Sequence, residues 1–343
     1  LSNKELSLQT DETWSHVLRV LPPDVQARVQ ALPLDIRLRI EELRFRVGQP
    51  VQVCGLGLNG FLHAKAGLTD TVDASCLVTE DHISRVLQAA TQASLYAVED
   101  ELRRGFVTMP GGHRVGVAGR AVLTDAGTIR TIRSIHAVNI RIAREHIGIS
   151  QSIHPYVVHP ESGRPLNVLL ISPPQCGKTT MLRDMVRAYS EGQVTGVRRG
   201  LKVTVVDERS EIAGSVAGVP QFHLGPRTDV LDACPKAEGM LMAIRSLSPD
   251  VVATDEIGRD EDSTAILDAT HAGVSVLATA HAHTVDEWRK RPAMASLFAA
   301  HAFDRYVVLS RRRGPGTVEQ VLDARGMPLG RIRVQADGRV PDA

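Results

Sequence analysis

Val168-Leu169-Leu170-Ile171-Ser172-Pro173-Pro174-Gln175-Cys176-Gly177-Lys178-Thr179-Thr180 decides the fold of this chain. The apolar run reads as a buried strand, Ser172 to Gly177 as a tight loop, and the residues from Lys178 onward as a helix. Gly-Lys-Thr-Thr closes the loop as in a Walker A phosphate-binding motif. In such a loop backbone N–H groups and the helix N-terminus converge on phosphate oxygens. The candidate nucleotide-binding residues are therefore Pro174, Gln175, Cys176, Gly177, Lys178, Thr179 and Thr180. Gly177 has no Cβ, which lets the chain come close to the phosphates. Lys178 reaches the β- and γ-phosphates as a point charge, and Thr179 offers a hydroxyl to Mg²⁺. Two positions depart from the motif. Ser172 stands where its first Gly is expected. Gln175 occupies a position that is usually Gly with φ > 0, at a cost of about 1–2 kcal/mol. Weaker nucleotide affinity, or a loop of different shape, is the expectation.

Downstream the chain repeats one pattern, an apolar run ending in polar residues. Leu201 to Val206 is a second buried strand that ends in Asp207-Glu208-Arg209-Ser210-Glu211. Val251-Val252-Ala253-Thr254 leads into Asp255-Glu256, a Walker B pattern. There Asp255 suits Mg²⁺, and Glu256 suits the orienting or deprotonation of an attacking water. Gly273 to His281 is a further buried strand that brings Thr279 and His281 to its end. Acidic and polar groups at the carboxyl ends of parallel strands lie beside the ligand crevice of an open α/β sheet. Arg209, Arg227, Arg245 and Arg259 flank these ends. Arg209, Arg227 and Arg245 are the candidate arginine fingers, one or two of which would stabilise transition-state charge, across a subunit boundary in a ring. A last core strand is expected from Phe303 to Ser310, with a hairpin partner from Thr317 to Asp323.

The first half reads differently. Residues 1–47 look helical, with starts at Asp11, Pro22-Pro23-Asp24 and Pro33-Leu34-Asp35. Val51-Gln52-Val53 alternates like a short strand, and Gly55 to Gly60 reads as a loop. Thr79 opens a helix to about Ala93, and Ser94 to Leu102 continues as helix. Thr79 with His82 falls short of the capping-box pattern. Strands and Gly-rich turns from Gly105 to Ala143 predict a small antiparallel sheet. Arg114, Arg120, Arg130, Arg133, Arg141 and Arg144 gather there, either as a binding surface or as the polar face of a half-exposed sheet. His146 to Pro165, with its Gly and Pro residues, reads as a linker. The expected organisation is an N-terminal α+β domain (1–145), a linker (146–165) and an α/β, RecA-like P-loop ATPase core (166–343).

Composition narrows the alternatives. Apolar residues are 43% and charged residues 23% of the chain, and its net charge is +1. That near-neutral balance gives no global case for nucleic acid or a membrane surface. Aromatic residues are 3%, too few for a base-stacking surface. No apolar run approaches the roughly 18 residues of a membrane span, and no signal-like segment opens the chain. Cys54, Cys76, Cys176 and Cys234 have neither CxxC nor metal spacing and fit a reducing cytoplasm.

Pro249-Asp250, Glu256-Ile257 and Ala272-Gly273 to Thr279-Ala280-His281 resemble the hexameric secretion ATPases of type II and type IV systems. That resemblance implies an acidic box at Asp207 and Glu208, the catalytic glutamate at Glu256 and a histidine box at His281, all around ATP. Asp255 stands where those motors usually carry Gly. More closely, residues 20 to 325 resemble the stage III sporulation protein AA family. The resemblance rests on Glu42-Leu43-Arg44, Ser94-Leu95-Tyr96-Ala97, Pro110 to Gly116, Val206 to Ile212, Arg227 to Asp232 and Asp255 to Arg259. It implies a cytoplasmic ATPase, peripheral at a membrane complex, that serves the channel between mother cell and forespore. The implied partners are further copies in a ring and membrane proteins of that channel. A nucleic-acid-dependent ATPase and a nucleotide switch or scaffold with little turnover are the alternatives.

Overall fold

The computed structural model describes residues 13–65, 67–72, 75–91 and 99–329. These fall into two compact units that divide between Arg144 and Glu145.

The first unit opens with a helical segment at residues 13–20 and helices α1 (Pro23–Gln30) and α2 (Leu34–Arg37). Strand β1 (Ile40–Arg46) follows, where the sequence predicts more helix. Its period is two: Leu43 and Phe45 are fully buried, and Glu42, Arg44 and Arg46 alternate with them. Strands β2 (Gln52–Gly55), β3 (Leu58–Leu62) and β4 (Leu68–Thr69) continue the sheet. The expected loop from Gly55 to Gly60 is thus a hairpin that turns at Leu56-Gly57. Helix α3 (Glu80–Ala90) starts at Thr79 as predicted, and it has the full reciprocal cap. Thr79 Oγ1 accepts from His82 N, and His82 Nδ1 accepts from Thr79 N, both at 3.3 Å. The imidazole takes the part a Glu would play. The helix expected from Ser94 onward lies largely outside the described residues; its end is α4 (Glu99–Arg103).

Strands β5 (Phe106–Met109), β6 (His113–Leu123) and β7 (Ile129–Arg141) complete an antiparallel sheet of order β4-β3-β2-β1-β7-β6-β5. Val25, Val29, Ile83 and Val86 from the helices share its core with Phe45, Val53 and Ile140. The structure takes two of the region's arginines into local contacts and leaves four exposed. Arg144 donates to the carbonyls of Arg37 and Ile40, at 3.1 and 2.8 Å. Arg114 lies over the Phe106 ring, 4.3 Å from its centroid. Arg120, Arg130, Arg133 and Arg141 remain exposed.

The second unit is a doubly covered α/β sheet. Its strands are β8 (Val168–Ser172), β9 (Val203–Asp207), β10 (Thr228–Asp232), β11 (Val251–Thr254), β12 (Ser275–His281), β13 (Arg305–Ser310) and β14 (Thr317–Asp323). Their order is β10-β9-β11-β12-β8-β13-β14; all pairs are parallel except β13 with β14. Alternate residues of β8 serve the two faces. Val168 and Leu170 join Met181, Leu182 and Met185 of helix α5 (Lys178–Glu191). Leu169 and Ile171 face Met240 of α6 (Lys236–Ser246) and Ile266 of α7 (Asp260–His271). Helices α8 (Val285–Arg289) and α9 (Pro292–Ala299) extend that layer, with Trp288, Met294 and Leu297 buried. Near-continuous apolar strands are what burial on both faces requires.

Residues 146–165 are part of this unit where the sequence predicts a linker. Ile153, Val157 and Val158 lie in its core, and Tyr189 Oη donates to the Val157 carbonyl at 2.9 Å. Buried Asp184 of α5 accepts from Gly148 N at 2.9 Å and from Ser150 N and Oγ at 2.8 and 2.6 Å. The Gly and Pro residues mark turns of a packed segment whose apolar contacts have no regular period.

Candidate functional site

Topology brings the predicted motifs to one sheet edge. The register sets His281 of β12 beside Ser172 of β8, with β11 and then β9 next in line. The phosphate loop, His281, Asp255-Glu256 and Asp207-Glu208 therefore leave the sheet at its carboxyl end.

The loop joins β8 to α5 through two residues of positive φ. Gln175 has φ 60 and Gly177 φ 85, so Gln175 does adopt the strained left-handed geometry. Pro174 and Gln175 are exposed, and Cys176 is buried. Gly177 has a second reason to lack a side chain: an added Cβ would lie 2.6 Å from Gly316 N. The backbone it lets come close is the turn between β13 and β14. Thr179 is half-buried at the first turn of α5. Thr180 faces elsewhere and lines a cleft with Glu145, His146, Arg183 and His223.

Lys178 is held in a cage. Its ammonium donates to the carbonyls of Ser172 and Pro173 at 2.9 and 3.0 Å, and to Ser172 Oγ at 3.2 Å. It also lies 2.9 Å from His281 Nδ1. Burial brings its pKa down to about 8. Ser172, read from sequence as a departure from the motif, thus supplies two of these acceptors.

From Lys178 the contacts continue. With the ammonium donating to Nδ1, the imidazole carries its proton on Nε2, which lies 2.8 Å from Glu256 Oε1. Arg209 approaches Glu256 Oε2 at 3.4 Å. Glu256 itself has φ 44, and its N–H donates to Thr279 Oγ1 at 2.9 Å. Thr279, which the sequence places at the polar end of β12, is fully buried and fixes the backbone of Glu256. Lys178, His281, Glu256 and Arg209 form one continuous polar chain.

Asp255 is 1% exposed, and neither of its carboxylate oxygens has a hydrogen-bond partner among the described residues. Burial, reinforced by the charge of Asp207, pushes its pKa up to about 7. An unpartnered carboxylate in the interior costs several kcal/mol unless a cation compensates it. No group of three or more His, Cys, Asp or Glu is arranged around a metal among the described residues. One carboxylate and one hydroxyl suit Mg²⁺, which keeps waters and substrate phosphates as its remaining ligands.

The structure does not bring the two acidic-box residues into this chain. Asp207 is fully buried and accepts from the N–H groups of Glu211, Ile212 and Ala213 at 2.8, 3.0 and 2.8 Å. Burial still leaves its pKa raised. It anchors the loop that follows β9, and Arg183 of α5 braces the same loop through the carbonyls of Ile212 and Glu211. Glu208 pairs with Lys236 at the start of α6. Burial pushes its carboxyl up, and the Lys236 hydrogen bond and charge together bring it below the usual range. Nothing in the sequence marks Lys236 as a partner 28 residues away.

The three candidate fingers separate. Arg209 touches Glu256 of its own chain. Arg227 is structural: its guanidinium donates to the Ser190 carbonyl at 2.9 Å, and its N–H to Ser190 Oγ at 2.7 Å. Arg245 is exposed near the C-terminus of α6. That helix runs back toward the start of β11, which puts Arg245 at the edge opposite the phosphate loop.

Residues 13–329 match the family profile described as sporulation stage III, protein AA. The chain belongs to that family. It is 44% identical over 317 residues to stage III sporulation protein AA of Bacillus subtilis (strain 168), a match covering 92% of this chain and 97% of that protein. Among solved structures, the ATPase DotB of Yersinia pseudotuberculosis aligns with a TM-score of 0.55 at 11% identity, over 89% of this chain and 81% of that one. The pilus retraction motor PilT with bound ADP aligns with a TM-score of 0.53 at 16% identity, over 85% of this chain and 77% of that one. At these identities the likeness shows the fold, which is that of the secretion ATPases. Among the described residues no helix is long and apolar enough to cross a membrane.

Proposed function

We propose that this sporulation protein is a Mg²⁺-dependent ATPase that drives the channel between mother cell and forespore from its cytoplasmic side. One observation carries the reading: the unbroken chain from Lys178 through His281 and Glu256 to Arg209, beside the unpartnered Asp255.

Each residue has a task that follows from its contacts. Lys178 exchanges the carbonyls of Ser172 and Pro173 for β- and γ-phosphate oxygens, whose charge restores the proton that burial weakens. Loop amides from Gln175 to Thr180 hold the remaining oxygens. Thr179 and Asp255 would hold Mg²⁺, which supplies neutralisation of the phosphate charge when bound. Glu256 takes a proton from the water that attacks the γ-phosphorus as the bond to the β-phosphate oxygen breaks, leaving ADP and phosphate. His281 and Arg209 fix the direction of the Glu256 carboxylate, and Thr279 fixes its backbone. His281 also joins that carboxylate to Lys178, so a change in phosphate occupancy reaches the base directly.

Coupling to motion calls for a ring of copies, with an arginine crossing between them. Arg227 is committed to Ser190, whereas Arg245 lies away from its own site at the exposed end of a helix. Membrane proteins of the channel are the expected partners. Steady-state phosphate release with Mg-ATP tests the activity: turnover that needs Mg²⁺ is the expected result. Saturable ATP binding without turnover would replace the motor by a nucleotide switch. Light scattering tests the ring, which a fully active monomer in the presence of ATP would refute.

A further inference from the structure

Strand β13 runs parallel to β8, with Val308 beside Ile171. The turn after Ser310 therefore leaves the sheet at the same edge as the phosphate loop, on the flank away from β12. Its sequence is Arg311-Arg312-Arg313-Gly314-Pro315-Gly316, three consecutive arginines that play no part in the site described above.

The turn is fixed to the loop by backbone. Gly316 N donates to the Cys176 carbonyl at 2.8 Å. A Cβ on Gly177 would meet Gly316 N at 2.6 Å, and one on Gly316 would meet Ile149 Cδ1 at 2.3 Å. Both glycines have positive φ, 85 and 83. Neither loop nor turn can draw away from the other without breaking this fit.

All three arginines are exposed, but they differ in their contacts. Arg312 Nε lies 3.8 Å from Glu319 Oε1 of β14. Arg313 contributes its backbone N–H to Thr317 Oγ1 at 3.3 Å, and the Arg311 carbonyl accepts from Gly314 N at 3.1 Å. Their backbones are engaged, and the side chains of Arg311 and Arg313 are exposed on a turn seated on the phosphate loop. Like charges so close repel one another, and an anion relieves that repulsion. The planar guanidinium matches phosphate oxygens as bidentate pairs.

The flank decides which phosphates are meant. Glu256 and His281 lie on the β11–β12 side of the loop, and the attacking water and the γ-phosphate belong with them. The Cys176–Gly177 side, where the turn sits, then faces the phosphates nearer the nucleoside. We propose that Arg311 and Arg313 bind the α- and β-phosphates of the nucleotide held by the loop of their own chain. This rests on the ATPase reading.

The test is calorimetric titration of ADP, and of a non-hydrolysable ATP analogue, into the full chain. Arg311→Ala/Arg313→Ala is expected to weaken both nucleotides alike, by about tenfold. Arg312→Ala is expected to stay within about twofold of the wild type, because its guanidinium is turned to Glu319. Thermal unfolding of each variant checks that these exposed substitutions leave the fold intact. Unchanged ADP affinity in the double variant, with binding still lost in Lys178→Ala, would overturn the proposal and leave the ATPase reading standing. Loss for the ATP analogue alone would place the contact at the γ-phosphate and overturn the assignment. A wild-type chain that binds neither nucleotide would remove the ATPase reading together with this inference.

Discussion

Replacing His281 by Ala cuts the polar chain in the middle. Two contacts go at once: the acceptor for Lys178 at 2.9 Å and the donor to Glu256 at 2.8 Å. A buried hydrogen bond to a charged group contributes about 1.5–3 kcal/mol, and an exposed ion pair about 0.2–1 kcal/mol. The His281 and Glu256 side chains are 37% and 30% exposed, so each contact lies between these limits, at about 1 kcal/mol. The two together amount to about 2 kcal/mol, or about a 30-fold fall in kcat. In the nucleotide complex Lys178 takes phosphate oxygens as its acceptors with or without His281, so nucleotide binding should change less than about threefold. Phosphate release over a range of ATP concentrations separates the two. A fall in kcat with KM nearly constant is the expected outcome. A rise in KM with kcat unchanged would assign His281 to substrate binding and refute the argument that it positions Glu256.

Other perturbations reach the scaffold. Gly177→Ala places a methyl 2.6 Å from Gly316 N at φ 85; a stability loss of about 3 kcal/mol in urea unfolding is expected, and a loss under about 1 kcal/mol would show that the turn yields. Asp184→Asn weakens the clamp on residues 148–150 and leaves buried Arg187 with Glu191 as its remaining carboxylate. It should cost about 3 kcal/mol, and unchanged stability would refute the clamp. His113 of the first unit is buried, and burial together with nearby His16 lowers its pKa from 6.5 to about 4. The unfolded chain then binds the extra proton between those values, so stability is unaffected by this group above about pH 6.5 and falls as pH drops toward 4, by about 3 kcal/mol in all. Urea midpoints of wild type and His113→Asn across this range should converge as pH falls, and parallel curves would contradict the assignment.

Much of the second unit was legible because its evidence is local. The strand–loop–helix around Lys178 lies in one stretch, and each later apolar strand announces its own polar end. What the sequence hid depends on contacts between distant residues. Asp207 and Asp255 look alike as strand-end carboxylates, but three backbone N–H groups close around one and, among the described residues, none reaches the other. Glu208 is drawn to Lys236 by the start of α6, which no spacing rule places beside it. The Gly177 reading was incomplete because the opposing backbone, Gly316, comes from a hairpin far along the chain. In the first unit the interleaved charges from Arg37 to Arg46 suggested a helix, but Leu43 and Phe45 alternate with period two and build a strand. Residues 146–165 look like a linker in sequence because Ile153 and Val157 pack through an irregular segment without a period that signals burial.

Glu256 as the base that activates water is the centre of this account. The most direct measurement identifies the nucleotide recovered from wild-type and Glu256→Gln protein after incubation with Mg-ATP. The account predicts ADP and free phosphate from the wild type, and intact ATP bound to Glu256→Gln. Wild-type rates of phosphate release from Glu256→Gln, or intact ATP recovered from the wild type, would contradict it.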